Sequence, residues 1–233
     1  SCLKNYPDEK KCTIGSLIQL MNYVEDSTDR IPKFVEAYAP SPDILEKYQA
    51  FSAQEVKIKL GQHASALACL APWDTEEIKI FCSDDTINFD SFRRQLTTLF
   101  LILPVGKADR YSCLMTVFFD QFLRHLLNTP LQKGDRPIFF LMDEFSNLRA
   151  IPYFANICSL IRSQKVSLSI VIQALSQLDT VYGKNQADTI VANLSSILIY
   201  PGIREKRSLQ YLGDLVGQTT LKIGSVAAVK IQY

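Results

Sequence analysis

Asp143 and Glu144 stand side by side directly after the apolar run Ile138-Phe139-Phe140-Leu141-Met142. Adjacent carboxylates repel unless a cation or a shared proton comes between them. The pair therefore invites a chemical reading. An Asp that holds Mg2+, directly or through water, beside a Glu that orients or deprotonates an attacking water is the arrangement used in nucleotide hydrolysis. Several apolar residues followed by Asp-Glu form a strand-end motif of the Walker B kind. The plain alternative is a strand-end pair whose charge favours the start of the next helix. The run alone leaves both open.

The elements around the pair decide whether it faces a ligand. Four runs suit strands covered on both faces: 97–105 (TTLFLILPV), 137–143 (PIFFLMD), 166–173 (VSLSIVIQ) and 195–202 (SSILIYPG). Helical patterns lie between them, at Asp109 to Leu127, Tyr153 to Gln164, Gln186 to Leu194 and Glu205 to Gly217, where the glycine suits the position after a helix end. Strand–helix–strand alternation argues for a parallel α/β sheet with right-handed crossovers, whose strand carboxyl ends open onto the ligand crevice. The closing stretch, 219–233, reads as one or two edge strands.

Residues 12–73 have a different grammar. Ile14, Leu17, Ile18, Met21 and Val24 recur at the spacing of one helix face. Ser41, Pro42 and Asp43 look like an N-cap, a first helical position and an acidic first turn. Ser52 and Glu55 have the spacing of a capping box before the run that Pro72 stops. The sequence thus divides into a small all-helical unit, residues 1–85, and an α/β unit, residues 86–233.

The totals narrow the possibilities. A formal net charge of +1 gives no overall basic field to announce nucleic acid, although Lys57, Lys59, Arg93 and Arg94 have the charge to touch phosphates locally. No run approaches the roughly 18 uninterrupted apolar residues of a membrane span. Cys2, Cys12, Cys69, Cys82, Cys113 and Cys158 are scattered without metal-ligand spacing and read as reduced thiols. His63 and His125 are the only histidines, and with no nucleophile and orienter identifiable beside them they read as satisfied or surface histidines, not as members of a triad or metal pair. Trp73 reads as a packing residue at a helix end.

The stretch FFLMDEFSNLRAIPYFANICSLIRSQKVSLSIVIQALSQLDTVYG resembles the second half of the ATPase domain of type IV secretion coupling proteins. The shared features are a DEF-x-N-L stretch followed by Ile-Pro, an Ile-Arg-Ser helix end, a strand ending in Gln, then Ser-Gln-Leu and Tyr-Gly. Those proteins are hexameric ATPases at the cytoplasmic face of the bacterial inner membrane that feed DNA or protein to a secretion channel. The resemblance implies a RecA-like, P-loop-type parallel sheet with helices on both faces, plus the all-α unit as a cargo- or adaptor-recognition domain. It implies ATP and Mg2+ as cofactors, with Asp143 the Mg2+-linked carboxylate and Glu144 the catalytic one. Gln173 matches a glutamine that senses the γ-phosphate. Arg162 matches an arginine that reaches a neighbouring subunit's nucleotide, and Lys184 is a second candidate cation. The implied partners are a DNA–relaxase complex or effector proteins with their adaptors, other secretion-system subunits, and five further copies of the chain.

One family feature is missing. A phosphate-cradling loop needs the spacing G-x-x-x-x-G-K-[ST], and no two of the nine glycines are five residues apart. The expectation is a fragment that holds the P-loop-less half of the sheet and does not hydrolyse ATP alone. A non-catalytic scaffold with the same fold, and a hexameric DNA translocase of another kind, are the competing readings.

Overall fold

The computed structural model describes residues 13–22, 30–84 and 86–217, so the edge strands expected over 219–233 lie outside the described residues. The chain divides into two compact units, Ser1–Phe118 and Phe119–Tyr233. The change of grammar near residue 85 is a boundary of composition, whereas the compact units part within a long helix.

The first unit is helical. It holds α1 (Ile14–Asn22), α2 (Arg30–Tyr38), α3 (Pro42–Ser52), α4 (Val56–Leu70), α5 (Glu76–Phe81), α6 (Ser91–Arg94) and the start of α7 (Ala108–Asn128). Pro42 opens α3 after an extended Ser41, but the serine makes no side-chain cap bond. The capping box expected from Ser52 and Glu55 does not form: Ser52 ends α3, and Glu55 is itself the residue that precedes α4. Thr75 does cap α5, accepting the Ile78 N–H. Ile18 of α1 and Ile78 of α5 are buried. Buried His63 of α4 lies 2.7 Å from the Met21 carbonyl through Nε2, so that nitrogen carries the donating proton. His63 is thus a satisfied core histidine.

In the second unit β1 (Ile138–Met142) and β2 (Val166–Ile170) pair in parallel, Ile138 opposite Val166 and Met142 opposite Ile170. Between them run α8 (Phe154–Leu160) and a 3-10 turn over Ile161–Gln164. After β2 come α9 (Leu175–Tyr182), α10 (Lys184–Asn193) and α11 (Lys206–Val216), the last ending at Gly217 in positive φ. The α/β class read from the sequence holds.

Two details of the sheet differ from the reading. Runs 97–105 and 195–202 form no strand, and Leu96, Phe100, Ile102, Leu198 and Tyr200 in or beside them are exposed. Backbone polar groups need ladder partners, and among the described residues the only sheet is the β1–β2 pair. β1 is also covered on one face only. Ile138, Phe140 and Met142 are buried, with Phe140 edge-on to Phe119 and Phe122 of α7 at 6.2 and 5.2 Å between ring centres. Phe139 and Leu141 point the other way and are each 75% exposed.

A second buried cluster of this unit lies beyond the strand ends. Phe145 and Phe154 are fully buried, with ring centres 4.9 Å apart, and Tyr182 stacks on Phe145 at 5.9 Å with 7° between planes. Leu178, Ala187 and Ile190 complete it, so α9 and α10 are clamped onto the turn that follows β1.

Candidate functional site

The carboxyl end of β1 turns abruptly. Val171 N–H donates to the Met142 carbonyl (2.9 Å) and Phe145 N–H to the Val171 carbonyl (3.0 Å), so the ladder runs on past the strand assignment. Between those bonds Asp143 and Glu144 are squeezed outward, both exposed. Glu144 takes the left-handed conformation (φ 47, ψ 45), at a cost on the order of 1–3 kcal/mol for a residue with a side chain. Burial of Phe145 in the aromatic cluster holds it there.

Hydrogen bonds fix the pair. Asp143 Oδ1 accepts the Glu144 N–H at 3.0 Å. Asn147, three residues on, donates its backbone N–H to the Glu144 carbonyl (2.8 Å) and its Nδ2 to Glu144 Oε2 (2.7 Å). The helix-capping alternative fails. Glu144 makes no side-chain cap bond to the 3-10 turn Phe145–Asn147, and the next α-helix starts at Phe154. Asn147, the asparagine of the DEF-x-N-L stretch, grips the glutamate carboxylate.

Gln173 leaves β2 at the same edge, two residues beyond Val171, and its side chain is exposed. Its N–H donates to Gln177 Oε1 at 3.0 Å, and the Ala174 N–H does so at 3.3 Å. Parallel pairing therefore brings Asp143, Glu144 and Gln173 to one end of the sheet.

Arg162 is elsewhere. It lies in the 3-10 turn that leads into β2, at the amino end of the strands. A five-residue strand at about 3.3 Å per residue puts roughly 15 Å between the two ends, beyond the reach of an arginine toward the acids of its own chain. Lys184 is exposed at the first position of α10, after Gly183 in positive φ. No hydrogen bond or ion pair joins it to Asp143 or Glu144 among the described residues.

The donor set suits a hard divalent cation: exposed carboxylate oxygens at a strand end, with room for retained water, are what Mg2+ takes. No cluster of three or more His, Cys, Asp or Glu is placed to enclose a metal among the described residues. The site thus fits a cation shared with a phosphate ligand and does not form a closed protein cage.

A parallel pair with helices packed on it, and acids and a glutamine on its carboxyl edge, defines an α/β fold of the P-loop type in which the ligand sits beyond the strand ends. The type IV secretory system conjugative DNA transfer family matches residues 31–231, and the chain belongs to that family. Protein VirD4 of Agrobacterium fabrum is 22% identical over 156 residues, 66% of this chain and 23% of its own length. VirD4 of Rhizobium rhizogenes is 21% identical over the same extent. The chain therefore spans under a quarter of the curated relatives it matches. Among solved structures, the unbound conjugative coupling protein TrwB superposes with a TM-score of 0.63 at 18% identity, covering 83% of this chain and 43% of TrwB. TrwB in complex with ADP and Mg2+ gives 0.60 at 17% identity, with 83% and 45% coverage. These likenesses establish the RecA-like fold.

Sequence reasoning found the acids and Gln173 but missed the groups that hold them. Asn147 was visible as a polar residue three positions after Glu144. Gln177 stood in the Ser-Gln-Leu stretch, and its bonds are local, back to the Gln173 and Ala174 N–H groups at the start of α9. Ser208 carried no signal, because its partner Leu175 is set by the packing of α11 on α9.

Proposed function

We propose that this chain is part of a type IV coupling ATPase, which uses ATP hydrolysis to deliver DNA or effector proteins to a secretion channel. The observation that carries the reading is the shared strand end, where Asp143, Glu144 and Gln173 meet and Glu144 is held in a strained, Asn147-clamped conformation. The nucleotide complexes known for TrwB support it by fold.

In this reading Asp143 holds Mg2+, which when bound neutralises charge on the transferring phosphate. Glu144 takes a proton from the attacking water, with Asn147 fixing the carboxylate that receives it. Gln173 reads the presence of the terminal phosphate. Arg162, at the far end of β2, serves the nucleotide of a neighbouring subunit in a hexamer, where its always-charged fork steadies phosphate charge. Lys184 is a second cation for the same purpose. The phosphate-cradling loop comes from a part of the protein beyond these residues. Residues 1–85 recruit cargo or its adaptors, and the assembly works at the cytoplasmic face of the inner membrane.

ATP hydrolysis by the full-length protein, with and without DNA, tests this. Glu144→Gln should lower kcat by about a hundredfold or more, the scale of a lost general base. Hydrolysis that survives the substitution would refute the assignment, and a wild-type protein with no hydrolysis would favour a scaffold.

A further inference from the structure

The loop that carries Gln173 is fastened from a second direction, by a helix more than thirty residues further along the chain. Leu175 N–H donates to Ser208 Oγ at 3.0 Å. Ser208 sits in the first turn of α11 and is buried, 5% exposed. Its hydroxyl lies 2.8 Å from Glu205 Oε2, and the same carboxylate accepts the Arg207 and Ser208 N–H groups at 2.8 Å each.

The direction of this chain of bonds is forced. An amide N–H only donates and a carboxylate only accepts. The single Ser208 proton therefore goes to Glu205, and the lone pairs go to Leu175. Removing the hydroxyl would take this partner from the half-buried Leu175 N–H and cut the tie between the start of α9 and α11.

Arg207 reinforces the joint. Its guanidinium donates to Asp188 Oδ1 of α10 at 2.7 Å. Its Nε lies 2.6 Å from Asp179 Oδ2 of α9 but makes no directional hydrogen bond there, so that contact is a charge pairing. The first turn of α11 is thus pinned to the start of α9, to its middle, and to α10.

We propose that Ser208 is a positioning residue for Gln173, and that the Glu205–Ser208–Leu175 relay makes the strand-end loop and α11 move as one body. The proposal rests on the reading of Gln173 as the phosphate-sensing glutamine. It assigns α11 as the element through which the state of the terminal phosphate leaves the site.

The test uses the full-length protein and has two readouts. Hydrogen exchange over residues 171–178, followed by mass spectrometry without nucleotide, should quicken in Ser208→Ala and stay at the wild-type rate in Ser208→Thr, which keeps the hydroxyl. In ATP hydrolysis, Ser208→Ala should lower kcat by roughly tenfold to a hundredfold, the scale of a misplacement of about 1 Å, with KM for ATP within about twofold. The decisive comparison is non-additivity: Ser208→Ala placed on Gln173→Ala should slow the enzyme no further. Where Ser208→Ala does not fold, Glu205→Ala removes the hydroxyl's acceptor and should give the same pattern more weakly.

Unchanged exchange over 171–178 would overturn the proposal, as would an equal loss of kcat in the Gln173→Ala background. If Gln173→Ala hydrolyses ATP at the wild-type rate, the phosphate-sensing reading fails and this inference falls with it. Faster exchange in Ser208→Ala would then show that the hydrogen bond exists without that function.

Discussion

Tyr182→Phe removes one oxygen and should cost this chain about 1–2 kcal/mol. Tyr182 Oη accepts the Ile151 N–H at 3.2 Å, and both residues are buried, Ile151 to 1% exposure. Phenylalanine keeps the ring, so stacking on Phe145 at 5.9 Å and contact with Phe154 at 5.9 Å both survive. What is lost is the partner of a backbone donor that water cannot reach. A stranded buried donor costs about 1–3 kcal/mol, and a bond of this length belongs to the lower half of that range. Burial also pushes the phenol pKa above its ordinary value, with the Ile151 N–H opposing that rise, so Tyr182 stays neutral across the working pH range. At about 2–4 °C per kcal/mol for a chain of this size, the midpoint of thermal unfolding should fall by roughly 2–8 °C. Urea unfolding should show the same loss with an unchanged m value. Tyr153→Phe, at an exposed ring, is the control and should change nothing measurable. A loss under about 0.3 kcal/mol for Tyr182→Phe would refute the premise that the Ile151 amide depends on this oxygen, and the range set for a stranded donor would not apply here.

Three further outcomes are expected. Asn147→Ala in the full-length protein should lower kcat for ATP while leaving unfolding within about 0.5 kcal/mol, because its bond to Glu144 is exposed; equal kcat would separate Asn147 from the glutamate's work. Alkylation followed by mass spectrometry should label exposed Cys69 at neutral pH and spare Cys158, whose thiol burial pushes up to about 12, until the chain is unfolded. The Glu205 carboxyl is held below its ordinary 4.5 by the Arg207 N–H first, then by the Ser208 hydroxyl and N–H. Its contribution is therefore complete above about pH 4.5 and is lost as pH falls toward the lower folded value. Melting curves of Glu205→Gln should lack that acid-side slope, and identical slopes would contradict it.

The helices and the acid pair were legible because their signals are local. The face of α1, the apolar length of α7 and the run before Asp143 can each be read without knowing what lies opposite. The missing strands show the limit. Runs 97–105 and 195–202 have the composition of strands, but a strand needs a partner, and no sequence window contains one. The capping box at Ser52 failed for a related reason: the spacing was right, but α3 runs one residue too far for Ser52 to stand outside a helix. The clamps on the site were least legible of all. Asn147 is three residues from Glu144, yet its grip depends on a left-handed backbone that burial of Phe145 imposes. Ser208 meets Leu175 only because α11 packs on α9.

In the proposed mechanism, the left-handed backbone at Glu144 sets folding and chemistry at odds. Glycine adopts those angles without steric penalty, so Glu144→Gly should relax the turn while deleting the carboxylate. A library of this chain sorted for solubility or heat resistance alone would enrich glycine at position 144. Engineering that hardens the protein must therefore hold that residue fixed, since the most comfortable variant there is one with nothing left to give a proton to.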